Sequence, residues 1–118
     1  MLIDEAIQRF RMAAIEKGDF AEPAEKDHAL SDQMEDAWRI LEEHGEEGLQ
    51  VFKTLLTDES RHVRGWVATQ LLALGNEAGL AVLEADVAEG GIHGFDSETV
   101  LDEWRGGRLK PPFRATDA

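Results

Sequence analysis

The fold of this chain is predicted by residues 55–68, which read Leu-Leu-Thr-Asp-Glu-Ser-Arg-His-Val-Arg-Gly-Trp-Val-Ala. Val63 and Val67 are four residues apart and share one face of a helix predicted over about residues 59–74. Asp58 precedes this helix, and its carboxylate can accept a hydrogen bond from the free amides of the first turn. The stretch therefore predicts a turn followed by an amphipathic helix that has Asp58 as its N-cap.

Other residues of the same helix predict how it meets its neighbours. Gly65 and Ala68 have little or no side chain, so another helix can approach closely there. Arg64 follows Asp58 by about one and a half helical turns, where it can reach an acid of the same or an adjacent hairpin.

Helical spacing of apolar residues recurs along the rest of the chain. It predicts further helices at about residues 1–17, 24–44, 46–57, 76–88 and 96–105. Glycines between these segments are typical helix ends, and the glycine-rich residues before Asp96 and Ser97 predict a connector. No stretch has the period-two alternation of a half-buried strand. The sequence predicts an all-α domain of five to six helices.

Two segments of the chain resemble each other. Gly45 begins the stretch GEEGLQVF and Gly75 begins GNEAGLAVL, and the two align with a constant offset of 31 from Gly48 and Gly79 onward. Each copy opens a helix after a glycine that ends the previous one, which predicts a helical hairpin. Because a single hairpin cannot bury its apolar face alone, the hairpins are predicted to stack.

Residues 55–68 are also similar to the signature of HEAT-like repeats, in which a leucine pair and a turn aspartate precede Val-Arg and small residues. The resemblance extends over about residues 24–109. Its last part, residues 95–109, is similar to the end of small bacterial HEAT-like proteins that have no assigned activity.

This resemblance implies a short right-handed α-solenoid of antiparallel helical hairpins. In HEAT-like families the residues that match Asp58 and Arg64 keep the repeats in register and do not act on ligands, and Val63 packs inward as part of the same repeat. The predicted organisation is one HEAT-like domain over residues 1–109 and an extended tail over residues 110–118.

Composition excludes several classes of protein. The 118-residue chain carries 25 acids and 12 bases, a net charge of −13, and the pI is about 4.5. So negative a protein repels phosphate backbones and anionic headgroups, which disfavours binding to nucleic acid or to a membrane surface. The absence of cysteine excludes disulfides and thiolate metal sites. No apolar run predicts a membrane span or a signal peptide, so we expect a cytoplasmic protein.

Four histidines are the candidates for chemistry near neutral pH: His28, His44, His62 and His93. None has the short spacing of a zinc motif, and no nucleophile elbow or phosphate loop occurs. We therefore expect no enzyme activity, no metal and no cofactor. An alternative is a small helical enzyme that binds a metal or a small molecule through His93 or His62.

Acidic residues are concentrated in residues 19–47, which hold eleven acids against two bases. Such a surface favours encounter with a cationic partner, and tryptophan is a frequent anchor of interfaces. We therefore expect a non-enzymatic module that docks a basic protein, for example a toxin-neutralising immunity protein. An acidic mimic of DNA is another alternative. The residues predicted to contact the partner are Asp32, Glu35, Asp36, Trp38, Glu42, Glu43 and Trp66.

Overall fold

The computed structural model describes residues 2–113, which form six α-helices, two single-turn 3-10 segments and no strand. The all-α prediction of five to six helices is confirmed. None of the helices in the described part is long and apolar enough to cross a membrane. The helices are α1 (Ile3–Lys17), α2 (Ala24–Glu43), α3 (Gly45–Thr54), α4 (Arg61–Ala73), α5 (Leu80–Glu89) and α6 (Gly91–Arg105).

Helices that are neighbours in sequence pack against each other, and the pairs α1–α2 and α5–α6 share the most contact. The main apolar core lies among α1, α2, α3 and α4, and a second, smaller core joins α4 to α5 and α6. Helix α4 contributes to both cores and connects the two halves. The described residues measure 37 × 33 × 29 Å, which is close to equal in all directions.

The two aligned glycines, Gly48 and Gly79, lie where one helix crosses the backbone of the helix before it. A Cβ atom on Gly48 would overlap the carbonyl oxygen of Leu41 in α2. A Cβ atom on Gly79 would overlap the carbonyl oxygen of Ala68 in α4. Both positions need a residue without a side chain because backbones meet there, so the similarity between the two segments has a shared structural cause.

Helix α6 begins at Gly91, so residues 91–95 are helical and the predicted connector is wrong. Gly90 and Gly91 have φ angles of 78° and 75° and reverse the chain between α5 and α6. Gly94 lies one turn into α6, where a Cβ atom would be 2.8 Å from the carbonyl oxygen of Asp86. The third glycine thus serves helix packing, although glycine usually weakens a helix interior.

The residues that precede α4 differ in role from the prediction. Ser60 is the N-cap, and its hydroxyl accepts a hydrogen bond from the Val63 amide. Asp58 instead accepts from the Ser60 amide at 2.9 Å and pairs with Arg11 of α1 at 2.7 Å. Arg64 forms no ion pair with an acid of residues 2–113 and donates to the carbonyl oxygen of Asp58 at 2.7 Å. Asp58 therefore ties α4 to α1.

The small residues of α4 have separate environments. Val63 is fully buried, and Ala68 is buried at the contact with Gly79. Gly65 does not lie at a helix contact, because a Cβ atom there would meet nothing within 4 Å. The predicted close approach is correct for Ala68 and wrong for Gly65, which faces a cleft.

The predicted domain boundary at residue 109 is too early. Phe113 is 2% exposed and its ring packs edge-on against Phe10 of α1, with ring centroids 5.2 Å apart. Gln70 of α4 is fully buried and exchanges two hydrogen bonds with the backbone of Phe113, of 2.7 and 2.9 Å. The core therefore extends to at least residue 113. The remainder of the predicted tail, residues 114–118, lies outside the described residues.

The Asp58–Arg11 pair predicts a pH-dependent contribution to stability. Burial by itself raises the pKa of the Asp58 carboxyl, but the hydrogen bonds from Arg11 and Ser60 and the nearby positive charges outweigh it and lower that pKa. A lowered folded-state pKa stabilises the fold above the unfolded aspartate value of about 3.9, and this stabilisation is lost as pH falls through the folded value.

We expect Asp58→Asn to lower the free energy of unfolding by roughly 1–2 kcal/mol at pH 7. The difference from the wild type should shrink as the pH falls below about 4 in urea denaturation. Asp36→Asn is the control, because the exposed Asp36–Arg39 pair should contribute almost nothing. If the stability difference between Asp58→Asn and wild type stays the same as the pH falls from about 7 to below about 4, the ion pair with Arg11 is not its cause.

Candidate metal centre and cleft

A cleft of about 260 Å³ opens between the α1–α2 loop and helices α4, α5 and α6. Its lining combines polar and apolar side chains from all four segments. Six lining residues matter for its chemistry: Asp19, His62, Trp66, Asp86, His93 and Ser97.

Three of these residues form a cluster with the donor set of a transition-metal site. Asp19 lies in the α1–α2 loop, His62 in the first turn of α4 and His93 in the first turn of α6. The Asp19 carboxylate is 3.5 Å from Nδ1 of His62 and 3.8 Å from Nδ1 of His93. One ligand atom from each residue lies within 4.8 Å of the others.

The geometry of the cluster suits a shared cation better than direct hydrogen bonds. Ligand atoms around a tetrahedral zinc ion, with bonds of about 2.0–2.1 Å, are separated by about 3.4 Å. The carboxylate–imidazole distances are near that value and beyond the usual length of a hydrogen bond. Nδ1 of His62 is also buried and has no hydrogen-bond partner among residues 2–113. Since buried polar atoms are nearly always paired, this nitrogen fits the role of a metal ligand.

The loop that carries Asp19 is held against α4 by its backbone. Gly18 ends α1 with φ of 58°, a conformation that favours glycine. Nε1 of Trp66 donates to the carbonyl oxygen of Gly18 at 2.9 Å, and the His62 ring lies 3.6 Å from the position of a Gly18 Cβ atom. This contact places Asp19 next to His62.

A buried ion pair supports the same loop from the other side. Nζ of Lys17 lies 2.5 Å from the carboxylate of Asp27, which also accepts from the Ala21 amide at 2.9 Å. The hydrogen bond from Lys17 lowers the pKa of the Asp27 carboxyl most, and the hydrogen bond from the Ala21 amide lowers it further. Burial raises the pKa but does not outweigh these two hydrogen bonds. Both ends of the loop are therefore fixed to helices, and Asp19 projects from a supported segment.

His93 reaches the cleft because α6 begins five residues before its predicted start. The Gly90–Gly91 reversal and the close approach of Gly94 to α5 bring the first turn of α6 beside α4. The rings of His93 and His62 consequently pack with centroids 5.3 Å apart.

The predicted partner-binding residues do not form one surface. Asp32, Asp36, Glu42 and Glu43 are exposed on α2, and Glu35 is half-buried. Trp38 is 3% exposed and packs against Phe52, so it belongs to the core and is removed from the predicted set. Trp66 lines the cleft. None of the large exposed hydrophobic side chains in the described residues lies on α2. Docking of a basic protein on α2 stays a prediction without an apolar anchor.

In the sequence, His62 and His93 are separate candidates, and no motif connects either residue with Asp19. These residues come from three different elements, so no short motif could reveal the cluster. The available signal was that Asp19 directly follows the glycine that ends α1, while His93 lies among three glycines, of which Gly90 and Gly91 reverse the chain and Gly94 permits close packing against α5.

No protein-family model, curated protein or solved structure matches this chain. The resemblance to HEAT-like repeats accordingly depends on the sequence of residues 55–68, and the helical fold agrees with it only in general terms.

Proposed function

We propose that this protein binds a divalent transition-metal ion through Asp19, His62 and His93 and presents it to a small ligand in the cleft. The observation that carries the proposal is the buried Nδ1 of His62, which has no hydrogen-bond partner in the described part of the chain and lies beside the Asp19 carboxylate and the His93 ring. Two imidazoles and one carboxylate are a common donor set for zinc and for iron(II).

Three protein ligands would leave at least one coordination position of the ion open. The cleft supplies space for a water molecule or a substrate atom at that position, because all three residues line it. When bound, such an ion supplies Lewis-acid chemistry or lowers the pKa of a coordinated water. The chain itself supplies the three ligands and holds them in place. Trp66 fixes the α1–α2 loop at Gly18, and the Lys17–Asp27 ion pair joins the two helices that the loop connects.

Metal titration tests this proposal. After removal of metal with a chelator, the protein should bind one Zn²⁺ ion in isothermal titration calorimetry. Bound Co²⁺ should give the visible absorption that is typical of a four-coordinate site. We expect His62→Ala and His93→Ala each to weaken Zn²⁺ binding by at least about 100-fold, because each removes one of three ligands. Asp19→Asn should weaken it by at least about tenfold, since the neutral amide is a poorer ligand.

His44→Ala provides the matched control, because the exposed His44 ring bonds its own helix at the carbonyl oxygen of Ile40. This variant should bind zinc like the wild type. Equal affinity in His62→Ala, His93→Ala and wild type would refute the site. A Zn²⁺ dissociation constant of the wild type that is weaker than about 100 μM would also refute the site, because isolated surface histidines bind Zn²⁺ about as tightly.

The two contacts at Gly48 and Gly79 favour a second, architectural proposal. We propose that α2–α3 and α4–α5 are two copies of a HEAT-like hairpin, because in each pair the later segment crosses the preceding helix at an aligned glycine. An experimental structure of this protein tests it: α2–α3 and α4–α5 should superpose with Gly48 on Gly79, and hairpins that diverge there would contradict it.

A further inference from the structure

The described chain has two buried aspartates with contrasting surroundings. Asp27 is 6% exposed and has both a lysine ammonium and a backbone amide as partners. Asp86 of α5 is 8% exposed, and its only hydrogen bond to a described residue comes from the Ser97 hydroxyl at 3.2 Å. No lysine, arginine or histidine of the described residues forms an ion pair with Asp86.

In this arrangement the burial of the Asp86 carboxylate is not compensated by a positive charge or by several hydrogen-bond donors. Burying a carboxylate is unfavourable unless a cation or several donors compensate it, and one hydroxyl supplies a single donor. Arg61 also lines the cleft, but its guanidinium lies 2.5 Å from Glu89 on the exposed side. Asp86 lines the cleft as well, so a partner can arrive from there.

A second metal ion is a poor candidate for this partner. Metal sites in proteins need several ligands, and in the described residues the one group of three possible ligands is Asp19, His62 and His93. Asp86 is not a member of that group. An organic cation needs only the carboxylate, the Ser97 hydroxyl and an apolar wall.

The remaining walls of the cleft provide that apolar surface. Leu83 and Val100 line it together with the Trp66 indole, whose ring face also attracts cations. The cleft volume of about 260 Å³ is just below the range of about 300–1,000 Å³ for pockets that hold drug-sized ligands. The space therefore suits a small molecule with one polar end.

We infer that the cleft binds a small primary amine, with its ammonium group on Asp86 and its apolar body against Leu83, Val100 and Trp66. The Asp86 carboxylate accepts from the ammonium, and the Ser97 hydroxyl orients that carboxylate. This inference concerns the α5–α6 side of the cleft and does not depend on the metal proposal.

The test compares a cationic probe with a neutral one of the same shape, with a chelator present so that no metal takes part. Phenethylammonium should cause saturable NMR shifts at the Asp86 and Ser97 amides and at the Trp66 indole. Its dissociation constant should be in the millimolar range, and 2-phenylethanol should bind at least about tenfold more weakly. Asp86→Asn should weaken phenethylammonium binding by at least about tenfold, because the amide carries no charge.

Asp102→Asn is the matched control, since it removes one negative charge from an exposed site on the same helix as Ser97. It should bind phenethylammonium like the wild type, which separates Asp86 from the general attraction of an acidic protein. Equal binding by Asp86→Asn and wild type would overturn the inference. Equal binding of amine and alcohol, or no saturable shift up to about 20 mM amine, would also overturn it. If Asp86→Asn fails to fold, the comparison of the two probes on wild-type protein decides.

Discussion

Replacing Gly48 with alanine is expected to lower the free energy of unfolding by at least about 2–3 kcal/mol. The new methyl group would overlap the carbonyl oxygen and carbonyl carbon of Leu41. Because these are backbone atoms inside α2, they cannot move aside as a flexible side chain can. Helices α2 and α3 must therefore separate, which loosens the packing of Phe52 against Trp38. Urea denaturation followed by circular dichroism measures the effect.

Gly65→Ala is the matched control for this substitution. Gly65 is also a helical glycine, but a Cβ atom there meets nothing within 4 Å, and its φ is not positive. Alanine should leave stability unchanged or raise it by up to about 1 kcal/mol through its higher helix propensity. A Gly48→Ala variant as stable as Gly65→Ala would show that the α2–α3 crossing is not as close as the structure describes.

The roles of glycine explain how far the sequence could predict this fold. Apolar periodicity placed five of the six helices within a few residues, since each has a clear inward face. Glycine has two opposite uses, to end a helix or to let helices touch, and composition alone does not distinguish them. Gly90 and Gly91 turn the chain, whereas Gly94 continues α6. The start of α6 was therefore predicted too late.

The candidate site was less predictable because it depends on tertiary structure. The sequence predicts a connector around His93, and that error hides the contact of its ring with His62. Asp19 is one of eleven acids in residues 19–47, and nothing in its local sequence distinguishes it from the others. The buried Lys17–Asp27 pair that supports the Asp19 loop joins residues ten positions apart in two helices. Sequence periodicity describes faces of helices and does not specify which faces meet.

Phe113→Ala is expected to destabilise the protein by about 3–5 kcal/mol, although the residue lies beyond the last helix. Its buried ring packs against Phe10 and, at 5.7 Å between centroids, against Trp66. Removing it leaves a cavity between α1 and α4 that the surrounding helices can fill only in part. Phe95→Ala is the control, because Phe95 is 71% exposed and its loss should change stability by less than about 0.5 kcal/mol.

Amide hydrogen exchange in two variants distinguishes a cavity from detachment of the whole segment. Gln70 bonds the backbone of Phe113, so these hydrogen bonds persist when only the ring is removed. Gln70→Leu should instead leave the buried amide and carbonyl of Phe113 unpaired, and the segment should detach. Relative to the amides of α1 and α4, hydrogen exchange at residue 113 should then rise strongly in Gln70→Leu and only slightly in Phe113→Ala. Rapid exchange in both variants, or in neither, would contradict this division of roles.

Detachment of the C-terminal segment should also weaken zinc binding. Phe113 contacts Trp66, and Trp66 holds the Asp19 loop, so the stability of this segment is joined to the proposed metal centre.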